Sequence, residues 1–173
     1  WKAMDTELNT LEKIEAWSKV KRTEDMNVLD SVWAFKIKQY PDGSLRKLKA
    51  RFCVKGFQQI EGIDYFETYL PVVSWMTVQL IFMIAIILNL QSIQVNYTAA
   101  FPQAPLTDDV YVSMPRGFKE ENKVYKLKRN LYGLKQAACN FFEYLKEKLE
   151  KQEFKQSKLD ACLFLHQDII VLI

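Results

Sequence analysis

The spacing of apolar side chains changes period several times along the chain, and each change predicts an element. Trp1, Met4, Leu8, Leu11 and Glu15 stand three and four residues apart, which predicts an amphipathic packing helix over residues 1–16. Residues 17–20 read as a short extended piece and residues 22–30 as a polar connection. From Val32 the period becomes two. Trp33, Phe35 and Ile37 alternate with Ala34, Lys36 and Lys38 and lead into the turn sequence Pro41-Asp42-Gly43-Ser44. The returning strand puts Leu48, Ala50, Phe52 and Val54 on one face and Lys47, Lys49, Arg51, Cys53 and Lys55 on the other. A hairpin with one oily and one cationic side is expected. Like charges repeated along one face repel, so the functional reading is an anionic partner, and the structural one is a lysine-bearing edge that resists aggregation.

Residues 56–65 predict a loop, with glycines at turn positions and Asp64 suited to capping nearby backbone. Ser74 is placed to cap a helix over about residues 75–90, whose core Leu80-Ile81-Phe82-Met83-Ile84-Ala85-Ile86-Ile87 is apolar on every side. A membrane span needs about 20 such residues. This stretch is shorter and is interrupted by Thr77, Gln79 and Asn89, so a buried central helix is expected. Residues 92–101 then read as a buried strand, with Ile93 and Val95 as its apolar approach, that carries Asn96 to its end and runs into a helix start. Strand ends are where sheet proteins often hold their active groups. Asp108 and Asp109 fall in a turn before a short strand; neighbours one apart diverge on a strand, which favours a solvated turn over a metal pair. Beyond them the pattern predicts a strand over residues 123–128 and a turn over 131–136. A helix over 137–153 follows, with Phe141, Phe142, Leu145, Leu149 and Phe154 inward, and then two strands around His166-Gln167-Asp168.

With 173 residues, 49% of them hydrophobic, the chain has the size of one ordinary domain with a real core. The net charge of +3 hides a segregation. Residues 43–60 carry Arg46, Lys47, Lys49, Arg51 and Lys55 without an acid, and residues 123–135 carry Lys123, Lys126, Lys128, Arg129 and Lys135 without one. Elsewhere acids outnumber Lys and Arg by seven, so the charge points to a localised polyanion site. Cys53, Cys139 and Cys162 are an odd number, widely spaced, which suits neither a disulfide framework nor a metal cluster and favours an intracellular, cytoplasmic or nuclear setting. His166 is the only histidine, which leaves too little for a histidine metal cluster or a Ser-His-Asp arrangement and excludes much hydrolase chemistry. No cationic and apolar leader opens the sequence, and no membrane partner is expected.

Six blocks in order resemble the reverse transcriptase domain of copia-type LTR retrotransposons. They are Val32-Trp33-Ala34-Phe35-Lys36-Ile37-Lys38, Lys49-Ala50-Arg51 with Val54-Lys55-Gly56-Phe57, Gly62-Ile63-Asp64-Tyr65-Phe66-Glu67-Thr68, Pro71-Val72-Val73, Met114-Pro115-Arg116-Gly117-Phe118, and Leu131-Tyr132-Gly133-Leu134-Lys135-Gln136-Ala137. The resemblance implies an α+β fold: the fingers and partial palm of a right-hand polymerase, fingers-like to about residue 74 and palm-like beyond. It also implies RNA/DNA primer-template and dNTP as the family's partners and Mg²⁺ as its cofactor. Lys49, Arg51 and Lys55 match the fingers strand that meets the triphosphate, Phe101 the bulky residue at the sugar 2′ position, and Tyr132 and Gly133 the segment lining nucleotide and template.

The departures fall on the metal ligands. Asn96 stands where the resemblance implies an aspartate, and an amide is a poor ligand for a hard divalent cation. The strand over residues 169–173 matches the one that leads into a Tyr-Xaa-Asp-Asp hairpin, and the sequence stops before that hairpin and the thumb. Two-metal nucleotidyl transfer needs those carboxylates. The expectation is therefore a truncated and inactive fragment of an RNA-directed DNA polymerase, with no intact catalytic residue and no cofactor of its own. The alternative is a residual nucleic-acid-binding module that uses residues 43–60 and 123–135, with Lys47, Lys126, Lys128, Arg129 and Lys135 on phosphates.

Overall fold

A computed structural model describes residues 1–173, which divide into two compact units, each made of two stretches of chain. The first comprises Trp1–Thr68 and Ala99–Phe141, the second Tyr69–Thr98 and Phe142–Ile173. The first cut lies a few residues before the boundary expected near 74, but the first unit also takes up a later segment.

In the first unit the amphipathic pattern produces helix α1, Lys2–Lys13, with Leu8 and Leu11 buried. Strands β1 (Trp17–Lys21), β2 (Val28–Leu29), β5 (Tyr111–Ser113) and β6 (Lys123–Leu127) form a sheet in the order β1-β6-β5-β2. Its β1–β6 and β5–β6 pairs are antiparallel and β2–β5 is parallel. The two-residue β2 lies within the stretch read as a polar connection; so short a strand leaves no periodic signal.

The predicted hairpin forms as β3 (Ser31–Gln39) and β4 (Leu45–Val54), closed by a turn in which Asp42 Oδ1 accepts the Ser44 N–H and Gly43 has φ +83°. Register pairs Trp33 with Phe52, Phe35 with Ala50 and Ile37 with Leu48 on the oily face. Only its base is covered: Ala50, Phe52 and Val54 are buried, whereas Phe35, Ile37 and Leu48 are exposed. Phe52 lies in an aromatic cluster edge-on to Trp17, which in turn stacks on Tyr125 at 4.4 Å. Leu11, Leu29, Val112, Leu127 and Leu131 complete this core.

In the second unit, residues Phe142 to Glu150 of helix α4 (Ala137–Glu150) and strands β7 (Lys155–Gln156), β8 (Leu163–His166) and β9 (Ile169–Leu172) surround a small core of Phe142, Cys162 and Phe164. Two sequence-based expectations fail here. Helix α2, Trp75–Ile87, forms but buries no residue, and Ile86 is 79% exposed. Ser74 occupies its N-cap position without a side-chain cap bond; instead Asp160 accepts the Ser74 backbone N–H at 2.9 Å and a bond from Thr77. Of the stretch expected as a buried strand running into a helix start, residues 92–101, residues 92–97 form no strand, and Ile93 is 87% exposed. The reason is common to both: an apolar pattern states which side chains favour burial, but within residues 1–173 α2 is only half-buried along the face of Thr77, Val78, Ile81, Ile84 and Ala85, and residues 92–97 join no sheet. No helix is long and apolar enough to cross a membrane.

Candidate nucleotide and nucleic-acid interface

The site is built on the open edge and the charged face of β4. In a two-stranded hairpin β4 bonds β3 on one side only, so alternate N–H groups on its other edge need partners. The Glu7 carboxylate of α1 accepts the N–H of Phe52, and the Tyr132 carbonyl accepts that of Val54 at 2.8 Å. The second contact requires glycine. Gly133 has φ +95°, and a Cβ there would lie 2.0 Å from the Val54 carbonyl oxygen, while one on Gly56 would lie 1.9 Å from the Gly133 oxygen.

This close approach brings Tyr132 beside the cationic face. The Arg51 guanidinium lies over its ring, 5.1 Å from the centroid, and Phe101 meets the same ring edge-on at 5.5 Å. Phe101 is carried by the short helix α3, Ala100–Gln103, which Arg129 holds by donating from Nη1 to the Gln103 carbonyl at 2.7 Å. Arg51 keeps its Nε buried without a hydrogen-bond partner. Burial pushes the Lys49 ammonium below its ordinary pKa, and Arg51, Lys38 and Lys47 push the same way against Glu7. Burial raises the pKa of Glu7 although Lys49, the Phe52 N–H and Arg51 pull it down. It likewise raises that of Cys53, with Arg51 opposing.

Of the expected nucleotide-binding residues, Arg51, Phe101, Tyr132 and Gly133 are therefore assembled and Lys49 adjoins them along the strand. Lys55 is diverted, with its Nζ 3.1 Å from Asp30 Oδ2. The second basic segment does not form one cationic surface. Lys126 pairs with Asp109 at 2.6 Å, Arg129 is spent on Gln103, and Lys135 donates to the Tyr65 hydroxyl at 3.1 Å; Lys128 and Lys47 are exposed. Asn96 is exposed on a segment that forms no strand, and no three His, Cys, Asp or Glu side chains converge anywhere in the chain. Asp108 and Asp109 go separate ways, Asp108 accepting from Gln136 and Asp109 bound to Lys126.

Sequence reasoning missed two features. Glu7 falls among Met4, Leu8 and Leu11 on the packing stripe, and an acid on that stripe was the available signal. The other is a buried polar clasp. Gln136 donates from Nε2 to the Asp64 carbonyl at 2.7 Å and accepts from Gln59 Nε2 at 2.9 Å, while Asp64 Oδ2 accepts the Ile60 N–H at 2.8 Å, as its capping expectation required.

Residues 14–173 match the family described as reverse transcriptase (RNA-dependent DNA polymerase). The chain belongs to that family. This reverse transcriptase domain is 33% identical over 166 residues to the retrovirus-related Pol polyprotein from transposon TNT 1-94 of Nicotiana tabacum, covering 94% of the chain and 12% of that protein. It is 36% identical over 169 residues to the corresponding polyprotein from transposon RE1 of Arabidopsis thaliana, covering 95% and 12%, and 29% identical over 189 residues to the Ty1-ER2 Gag-Pol polyprotein of Saccharomyces cerevisiae, covering 97% and 10%. The domain thus spans about a tenth to an eighth of the length of these relatives. No solved structure matches it. Within the reverse transcriptase domain, the blocks around Asp64 and Gln136 are tied to each other by the buried clasp, which gives those motif residues a structural role.

Proposed function

We propose that this chain is the fingers and partial palm of a retrotransposon reverse transcriptase, able to hold nucleotide phosphates and nucleic acid but inactive as a polymerase in its present form. The observation that carries the binding half is Arg51 held over Tyr132 with Phe101 against the same ring. Arg51 and Lys49 supply charge-assisted donors for a triphosphate, and the two aromatic rings offer apolar surface beside it. Glu7 limits the local positive potential, so that a ligand competes with one fixed carboxylate.

The donor chemistry supports the inactive half. In this family a pair of divalent cations supplies activation of the primer hydroxyl and stabilisation of the leaving pyrophosphate. An exposed amide at position 96 without converging carboxylates does not fit such a pair, so no catalytic step is assigned to these residues. The three free cysteines suit an intracellular setting, cytoplasmic or nuclear.

Primer extension on an RNA template with Mg²⁺ or Mn²⁺ tests this reading. Incorporation is expected at the no-protein background for the chain and for Asn96→Asp; template-dependent extension by the unaltered chain would overturn it. The alternative of a residual binding module is supported for residues 43–60, whose cations stay largely unpaired, and not for 123–135, whose cations are mostly bound within the domain.

A further inference from the structure

The two edges of the β3–β4 hairpin differ. On β4 the outward N–H groups of Phe52 and Val54 are taken by Glu7 and by the Tyr132 carbonyl. Val54 pairs with Ser31 and Phe52 with Trp33, so the residues of β3 whose backbone groups point to its own outer edge are Ser31, Trp33, Phe35 and Ile37. The Ser31 N–H donates to Ser113 Oγ at 3.1 Å, and past it no further strand joins this edge. From Ser31 to Lys38 the register is unbroken, and residues 34–39 are all exposed. An open, regular and accessible edge is a template for another strand.

The sequence of β3 is suited to pairing with itself. Two copies related by a twofold axis normal to the sheet run antiparallel and set one residue opposite its own copy. With Phe35 on the axis, Trp33 meets the partner's Ile37 and Ile37 the partner's Trp33, which completes the three outward residues in pairs that each exchange both backbone bonds. On the other face Lys36 then meets the partner's Ala34 and Lys38 the partner's Val32, so no lysine opposes another. The neighbouring registers are worse. An axis on Lys36 sets that ammonium against its own copy, and an axis on Ala34 calls on the Ser31 N–H that Ser113 already holds. The lysines of this edge therefore select one register, and the covered base of β4 stops the sheet from growing further.

We infer that the outer edge of β3 is a self-association site, at which a second copy of this chain adds its own β3 antiparallel with Phe35 on the twofold axis. The product is a four-stranded sheet in the order β4-β3-β3-β4. Both oily faces lie on one side of it, where the exposed Phe35 rings of the two copies are neighbours and Ile37 extends the apolar strip. So short a contact belongs to the small interfaces, under about 1,200 Å², and the dimer dissociates on dilution. The inference does not depend on whether the cationic face holds phosphate.

Sedimentation velocity of the 173-residue chain from about 1 to 200 μM, with disulfide trapping, tests it. The mean mass should rise with concentration from 20.4 kDa towards twice that value and stop there. In Phe35→Cys the two introduced residues face each other with Cα atoms about 5.5 Å apart, inside the span of about 4.4–6.8 Å that a disulfide bridges. Mild oxidation should therefore give a covalent dimer on a non-reducing gel. In Ile37→Cys the two copies lie more than about 10 Å apart and should stay unlinked, as should the unaltered chain, whose Cys53 is half-buried and whose Cys139 and Cys162 are buried. Both substituted positions are exposed, so neither change removes a core contact. Monomer mass at every concentration, or a series of larger oligomers, overturns the inference. So does self-association of the unaltered chain without a covalent dimer of Phe35→Cys, or equal cross-linking of the two variants. Each of these outcomes leaves the proposed function standing.

Discussion

The Cα of Gly133 faces the carbonyl oxygen of Val54 so closely that a Cβ would lie 2.0 Å from it, with φ at +95°. This contact lets the Tyr132 carbonyl take the Val54 N–H and sets the tyrosine ring beneath Arg51. Gly133→Ala must move one strand and strain its own backbone. It should destabilise the domain by at least about 2 kcal/mol in urea unfolding and weaken triphosphate binding.

The clasp at Gln136 predicts a second loss. Its side chain is 1% exposed and serves the Asp64 carbonyl, Asp108 and Gln59 together. Gln136→Leu keeps the bulk but leaves those partners unsatisfied, and should cost about 1–3 kcal/mol by chemical denaturation.

Glu7→Gln tests the fixed counter-charge. Glutamine retains an oxygen to accept the Phe52 N–H while removing the charge beside Lys49 and Arg51. Inorganic tripolyphosphate should then bind several-fold more tightly in isothermal titration calorimetry, with the gain shrinking as salt is added.

Acid should expose the exposed bridge at Glu120. Hydrogen bonds from Lys123 and Lys19 hold its carboxyl down at about 2, against an ordinary 4.5. A depressed carboxyl stabilises the folded state above its unfolded pKa and loses that contribution as pH falls through the folded one. Thermal midpoints of the chain should therefore fall more steeply than those of Glu120→Gln between about pH 4.5 and 2, and the two should run parallel above that window.

Much of the first unit was legible because its signals are local. The three-to-four spacing of Met4, Leu8 and Leu11 predicts α1, and strict alternation from Trp33 with a Pro-Asp-Gly turn predicts β3 and β4. The clasp had no such signal. Its glutamines are 77 residues apart, and a polar side chain in a loop gives no indication of whether it will be buried. Lys36 and Lys38 were visible on their strand, but which lysines they face depends on register.

The sequence alone determined family, the two faces of the hairpin and the amide at position 96, because each is a matter of residue identity or short-range period. Tertiary structure alone decided which cations remain available. It withdrew Lys55, Lys126, Arg129 and Lys135 into internal contacts, gathered Arg51, Phe101 and Tyr132, and left Ile86 of α2 and Ile93 exposed. A pattern records what each side chain prefers as its surroundings, whereas a charge is neutralised or an apolar face covered only where the folded chain brings a partner to it.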